Sequence, residues 1–177
     1  MNNSRTVRLV AAALLAAMTC VATMIIKIPV QATGGYINLG DSIVMLSGFV
    51  LGPVLGGVAA GLGSALADLL SGYAVYIPAT FIIKGLMAVA AGLIIKDIRK
   101  KSILDFLWVC LVSELIMIGG YLFFEAIILG YGKAALAAVV GNAVQGVAGI
   151  AVTLLLLPVV KRLDIQSLRS AEKSTKQ

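Results

Sequence analysis

The chain has 177 residues, of which 60% are hydrophobic and only 12% charged, and its mean hydropathy is +1.06. A soluble domain carries about 25% charged residues, so the composition excludes one and describes an integral membrane protein. The formal net charge of +6 comes from loops and termini, where it reports topology and not nucleic-acid binding.

The first apolar segment, "RTVRLVAAALLAAMTC", has the basic residues, apolar stretch and cysteine of a signal peptide or lipoprotein signal. A lipoprotein signal wants a small residue before the cysteine and Leu three before it. Thr19 and Ala17 stand there, and the apolar run continues past Cys20 to Ile26. It reads as a first membrane span. Apolar runs near 20 residues long, enough to cross roughly 30 Å of hydrocarbon as a helix, then recur. The predicted spans are 6–26, 37–52, 54–72, 78–95, 103–129 and 134–160. The second and third meet at a tight Gly52-Pro53 turn. Alternating polar and apolar residues, the mark of a β-barrel, are absent.

The expected fold is therefore all-α, a compact bundle of six transmembrane helices. Residues 1–163 form the membrane domain and residues 164–177 a polar tail. Arg5 and Arg8 precede span one, Lys96, Arg99, Lys100 and Lys101 separate spans four and five, and Lys161 and Arg162 follow span six. With six spans all three clusters fall on one side, which makes that side, and both termini, cytoplasmic.

Cys20 and Cys110 fall at different heights, which argues against a disulfide. The chain has no histidine, which speaks against a zinc or haem centre. No metal and no cofactor is expected. There is no Walker motif, no nucleophile–base constellation, and no internal repeat of the kind that builds two-fold transporters.

Small residues line certain faces. Gly48, Gly52 and Gly56 repeat every four residues, as do Gly57 and Gly61, and such spacing lets helix backbones approach closely. Ala12, Ala13, Ala16, Ala17 and Cys20 leave a smooth face on span one. That face can pack inside the protein or dock another membrane protein, and periodicity does not choose.

The costly residues are polar ones inside the spans. Counting about 1.5 Å per residue from each outer end, Lys84 lies roughly 9 Å deep, Asp68 about 6 Å, Glu125 about 7 Å, Tyr121 and Asn142 about 13 Å, Gln145 about 18 Å and Glu114 about 24 Å. Asn38 and Asp41 start span two at the outer surface by the same count. Polar groups from five helices thus share the outer half, and they should turn inward and meet. Lys84 is expected to face Glu125, with Asp68 or Asp41 as competing partner. Glu114 is too deep to be a first choice.

Two readings of these residues stand side by side. The pair could be a buried ion pair that only fixes helix register. Alternatively, the carboxylates, the lysine, the amide and the tyrosines, all five of which (36, 73, 76, 121 and 131) fall in the outer half, could line an outward-facing pocket for a small polar or aromatic molecule. A buried pair seldom stabilises by itself, because desolvation offsets the attraction, and this favours the pocket. The tyrosines could also form an interfacial belt, and Asp41 could cap span two.

"GGYINLGDSIVMLSGFVLGPVLGGVAAGLGSALADLLSGY", residues 34–73, followed by "PATFIIKGLMA", residues 78–88, resembles the substrate-binding S component of energy-coupling factor (ECF) vitamin transporters. The resemblance covers most of the six spans. It is specific in the Asn38-to-Asp41 stretch, the LGP turn and the Asp68 and Lys84 segments, and weaker in spans five and six.

It implies a multi-pass protein of the cell membrane that binds a vitamin or precursor near the outer face. The loop between the first two helices, residues 28–40, would cap the site. It implies partners, a membrane coupling subunit and two ATPases, and delivery by toppling of the S component in the bilayer. An AxxxA motif on the first helix would contact the coupling subunit, and Ala12 with Ala16 or Ala13 with Ala17 fits it. The resemblance is closest to members for riboflavin-like, pyridoxine-like or hydroxymethylpyrimidine-like substrates. The tryptophan-rich outer segment of thiamine-binding members is not seen, since Trp108 is the only Trp.

Vitamin B6 or hydroxymethylpyrimidine is the expected substrate, with riboflavin next. Tyr76 or Tyr121 would stack on the ring, Glu125 or Asp41 would accept from hydroxyls or an amine, and Lys84 would donate. The competing readings are a small membrane enzyme using Glu125 and Lys84 as acid and base, and a structural membrane subunit.

Overall fold

The computed structural model describes residues 3–30 and 33–162. The predicted polar tail and the last residue of the predicted membrane domain lie outside the described residues. Among the described residues there are six α-helices: α1 (Asn3–Ile25), α2 (Asp41–Leu51), α3 (Pro53–Ser71), α4 (Ile77–Ile94), α5 (Ile103–Phe123) and α6 (Leu136–Arg162). All but α2 are long and apolar enough to cross a membrane.

Helix ends follow from local chemistry. Gly52 adopts φ 84°, ψ 179°, and Pro53 then opens α3, where its missing N–H costs nothing and its fixed φ suits the helix. Gly72, at φ 82° and ψ 13°, closes α3 in the left-handed region. Its N–H reaches Leu69 O, and the Tyr73 N–H reaches Asp68 O at 2.8 Å, the paired bonds of a Schellman motif. α5 starts at a reciprocal capping box. The Asp105 N–H donates to Ser102 Oγ at 3.2 Å, and the Ser102 N–H donates to Asp105 Oδ2 at 2.8 Å, satisfying two otherwise orphaned donors.

The second predicted span is corrected. Its first four residues are not helical: Ile37 ends the second strand of an antiparallel hairpin, β1 (Ile28–Val30) and β2 (Gly35–Ile37), with Pro29 opposite Tyr36, and residues 38–40 lead from it into α2. α2 has only 11 residues, roughly 16 Å of helix, about half of what a span needs. Every residue of α2 is buried. It is a central post, and Asp41 at its start lies inside the protein rather than at the outer surface.

Around α2 runs the apolar core, with Phe49 and Phe106 meeting edge to face at 5.1 Å between centroids and Met45, Val109 and Ile95 fully buried beside them. The side chains facing outward are Leu, Val and Ile on every long helix, as a hydrocarbon solvent demands. Cys20 and Cys110 are both free thiols.

Ala12 belongs to the core cluster and Ala16 packs against it, its carbonyl pressed against Gly63 of α3. Ala13 and Ala17 point outward. Of the two alanine registers open in the sequence, only Ala13 with Ala17 leaves a free face.

Candidate functional site

One cavity lies at the hairpin end of the bundle, with about 480 Å³ of space between its lining atoms, the open mouth included. The hairpin forms its roof through Val30, Thr33, Gly35 and Tyr36. Of the loop predicted to cap the site, residues 28–40, Val30, Thr33, Gly35, Tyr36 and Asn38 line the cavity.

Eight of the nine candidate residues line it: Asn38, Asp68, Tyr76, Lys84, Tyr121, Glu125, Asn142 and Gln145. Helix geometry explains why they converge. Tyr76, Thr80 and Lys84 recur every four residues along the start of α4, as do Ser64 and Asp68 on α3, so each set shares one face. Glu125 sits in a π-helical turn, Phe124–Ile128, that ends α5, where the Leu129 N–H reaches five residues back to Phe124 O at 2.9 Å. Such turns re-aim side chains and are frequent at functional sites.

The expected Lys84–Glu125 pair is corrected. Lys84 Nζ pairs with Asp41 Oδ1, both side chains being almost fully buried. Glu125 is held by the Tyr76 hydroxyl, 3.1 Å from its Oε1. The cause is where α2 begins: it follows the hairpin, at Asp41, and every residue of it is buried, so Asp41 meets Lys84 inside the bundle. Asp41 does not line the cavity, and its side chain makes no capping hydrogen bond for α2. It supports the floor. Gln145 Nε2 donates to Asp41 Oδ2 at 2.6 Å, while Gln145 Oε1 accepts the Asn38 N–H at 2.7 Å. Gln145 therefore ties the roof segment to the buried ion pair.

Two further bonds fasten the roof. The Tyr36 hydroxyl donates to Asp68 Oδ1 at 2.6 Å, and the Tyr76 hydroxyl lies 2.8 Å from Thr33 O. Burial, then the adjoining Asp68 carboxylate, pushes the Tyr36 hydroxyl well above the ordinary tyrosine range, so it stays a donor. The Thr80 and Tyr121 hydroxyls meet at 2.9 Å, and Lys84 Nζ lies 5.5 Å from the Tyr121 ring centroid, a cation–π distance.

The polarity of the cavity is thereby set. Lys84, its one lysine, is engaged with Asp41. Asp68 Oδ2, Glu125 Oε2 and Ser64 Oγ are buried without a protein partner. An unpaired buried acceptor costs roughly 1–3 kcal/mol, more if charged. The cavity therefore offers a ligand two free carboxylate acceptors, beside donors on Lys84, Ser64 and Asn142.

Sequence reading missed Thr23, Thr33, Ser64 and Thr80 as lining residues. Ser64 and Thr80 carried a usable signal, each standing one helical turn from a charged residue already singled out. Thr33 carried none, because a hairpin roof is not legible in helix periodicity.

The model for the S component of the ECF-type riboflavin transporter matches residues 3–162. A protein of Pyrococcus woesei, described only as an uncharacterized protein in the gap 3' region, is 36% identical over 130 residues, covering 73% of this chain and 85% of its own length. A thiamine precursor transporter of Lactococcus lactis subsp. cremoris is 28% identical over 166 residues, 93% of this chain and 94% of the relative. A membrane bundle with a roofed polar cavity, matched to that family over almost its whole length, is a transport subunit and not an enzyme: the chain belongs to the family of ECF-type riboflavin transporter S components, multi-pass proteins of the cell membrane that bind vitamin-type substrates.

Proposed function

We propose that the substrate is a small, donor-rich aromatic alcohol of the hydroxymethylpyrimidine or vitamin B6 type, captured from outside in the roofed cavity. The observation that carries this reading is the pair of carboxylate oxygens left without a donor in the cavity. Asp68 and Glu125 keep free acceptor oxygens, and Lys84 is already engaged with Asp41. An exocyclic amine or hydroxymethyl group would satisfy those oxygens, and Tyr76 and Tyr121, with ring centroids 6.4 Å apart, offer aromatic faces for the ring. The thiamine precursor transporter related over most of its length supports the pyrimidine form. Riboflavin is the second reading, favoured by the family model; its ribityl hydroxyls are donors too.

Delivery in this proposal uses a membrane coupling subunit and two ATPases, with both termini cytoplasmic. The exposed Ala13–Ala17 face would dock the coupling subunit. α1 suits this role, because only 17% of its apolar window is buried against 50% for α3.

Calorimetric titration of the purified chain, with native mass spectrometry for any co-purified molecule, tests the reading. Hydroxymethylpyrimidine or pyridoxine is expected to bind without ATP, and their phosphate esters are not. Asp68→Asn and Glu125→Gln should each weaken binding about tenfold or more, since a charged hydrogen bond contributes roughly 1.5–3 kcal/mol. Tight binding of riboflavin alone would select the second reading. Preference for a phosphate or carboxylate ligand would overturn the argument from the free carboxylate oxygens, and uptake by the chain alone in liposomes would count against delivery by partners.

A further inference from the structure

Behind the cavity, on the far side of the Lys84–Asp41 pair, lies a third carboxyl group that substrate capture does not use. Glu114 of α5 is 4% exposed, and neither of its carboxyl oxygens has a donor from the protein. It is a neighbour of Asp41, since both side chains come up against the same glycine of α6, Gly149. Two glycines of α6 enclose it. A methyl group on Gly149 would stand 2.8 Å from Glu114 Oε1 and 3.1 Å from Asp41 Cβ, and one on Gly146 would stand 3.3 Å from Glu114 Oε2.

The ionisable groups around Glu114 can be counted by element. α4 contributes Lys84 and α2 contributes Asp41. α5 itself adds Cys110 one turn away and Tyr121 two turns away. α6 presents glycines and Gln145, none of them ionisable. One cation therefore serves two carboxyl groups. Asp41 already accepts from both Lys84 and Gln145. A second negative charge here would stand unpaired in the low-dielectric interior, at a cost of several kcal/mol. The backbones of Gly146 and Gly149 lie close against the carboxyl group.

We propose that Glu114 and Asp41 form a proton-sharing carboxyl pair, with one resident proton that makes the Glu114–Asp41–Lys84 cluster neutral. With the proton in place Glu114 donates to Asp41, and two facing acceptors become a hydrogen bond. Loss of the proton would set two carboxylates competing for Lys84. It would also loosen Asp41 from Gln145, whose other end holds the Asn38 N–H beneath the roof. The proton site is thus joined to the roof through a single amide.

The test needs no vitamin, so its failure is separable from failure of the substrate reading. Infrared spectra of the chain in an ester-free maltoside detergent should contain a protonated-carboxyl stretch that shifts in D₂O. The band should be lost or reduced in Glu114→Gln. Thermal unfolding between neutral and alkaline pH is the second readout. The wild type should lose roughly 5 °C or more of its midpoint as the proton leaves. Glu114→Gln, a neutral isostere, should match the wild type at neutral pH and show a smaller alkaline loss. A spectrum with no acid band, a band unchanged in Glu114→Gln, or an equal alkaline loss in both proteins would overturn the proposal. Should Glu114→Gln not fold, the wild-type band must survive Asp68→Asn and Glu125→Gln in turn, and its disappearance in either would assign the proton elsewhere.

Discussion

Helices α1 to α4 join each other by backbone, whereas α5 and α6 join the rest by side chains. On the first side Gly48 of α2 meets the Ala88 carbonyl of α4, and Gly63 of α3 meets the Ala16 carbonyl of α1. A methyl group on Gly92 would stand 2.6 Å from Pro53 N, and one on Gly61 would stand 2.7 Å from Phe81 O. On the second side the glycines of α5 and α6 face side chains: Gly120 faces Ile83, Gly141 faces Ile37, and Gly146 faces Glu114. Without a hydrophobic drive between helices in lipid, close backbone packing is what holds a bundle together. The first four helices are welded, and the last two are fitted. The cavity lies on the seam. Asp68 and Lys84 come from the welded side at fixed separation, while Tyr121, Glu125, Asn142 and Gln145 come from the side that can adjust around a ligand.

The comparison breaks most readily at the weld. Gly48→Val sets side-chain carbons against the Ala88 carbonyl, which belongs to a helix and cannot move alone. It should cost more than about 3 kcal/mol and abolish recovery of monodisperse protein, as size-exclusion chromatography would reveal. Gly146→Ala is the matched change on the fitted side. Its methyl group meets only the Glu114 side chain, at 3.3 Å, so folded protein should still be recovered. Equal loss in both variants would dissolve the distinction.

Next in size is the charge on the seam. Lys84→Met leaves Asp41 buried without its cation and should cost about 3–5 kcal/mol. Adding Asp41→Asn removes the orphaned charge and should restore most of that stability in denaturant titration. A double variant no more stable than Lys84→Met would mean that Lys84 acts through packing rather than through charge.

These effects mark where sequence reading reached its limit. Five long helices, the Gly52-Pro53 turn and the crowding of polar groups in one half follow from composition and periodicity, because hydrocarbon imposes both. The partner of Lys84 did not follow. Counting depth from each helix start assumes that all helices begin at one plane, and α2 begins only after the hairpin, buried along its whole length. That single displacement turned Asp41 from a surface residue into the ion pair, and it brought Glu114 beside Asp41 although the count had set them about 24 Å apart. The bond from Asn38 to Gln145 joins residues 107 positions apart, with no local pattern to announce it. The alanine register was undecidable for a related reason. Ala12 with Ala16 and Ala13 with Ala17 have the same spacing, and only the contact of Ala16 with Gly63 separates them.

The smallest expected effect sharpens the comparison from the other side. Gly119 lies on the outer surface of α5, and nothing stands within 4 Å of a methyl group placed there. If the glycines of α5 served a backbone weld, Gly119→Ala would destabilise, as Gly48→Val should. If α5 is held by side chains, the methyl group meets only lipid, and the helix gains the intrinsic preference of alanine over glycine, at most about 1 kcal/mol. The expected outcome is an unfolding midpoint unchanged or raised by a few degrees, roughly 2–4 °C. Ligand affinity should not move, because Tyr121 and Glu125 keep their places on the opposite face. A lowered midpoint would mean that α5 also approaches a neighbour through its backbone at Gly119, and the welded region would then extend to the helix that carries Glu114.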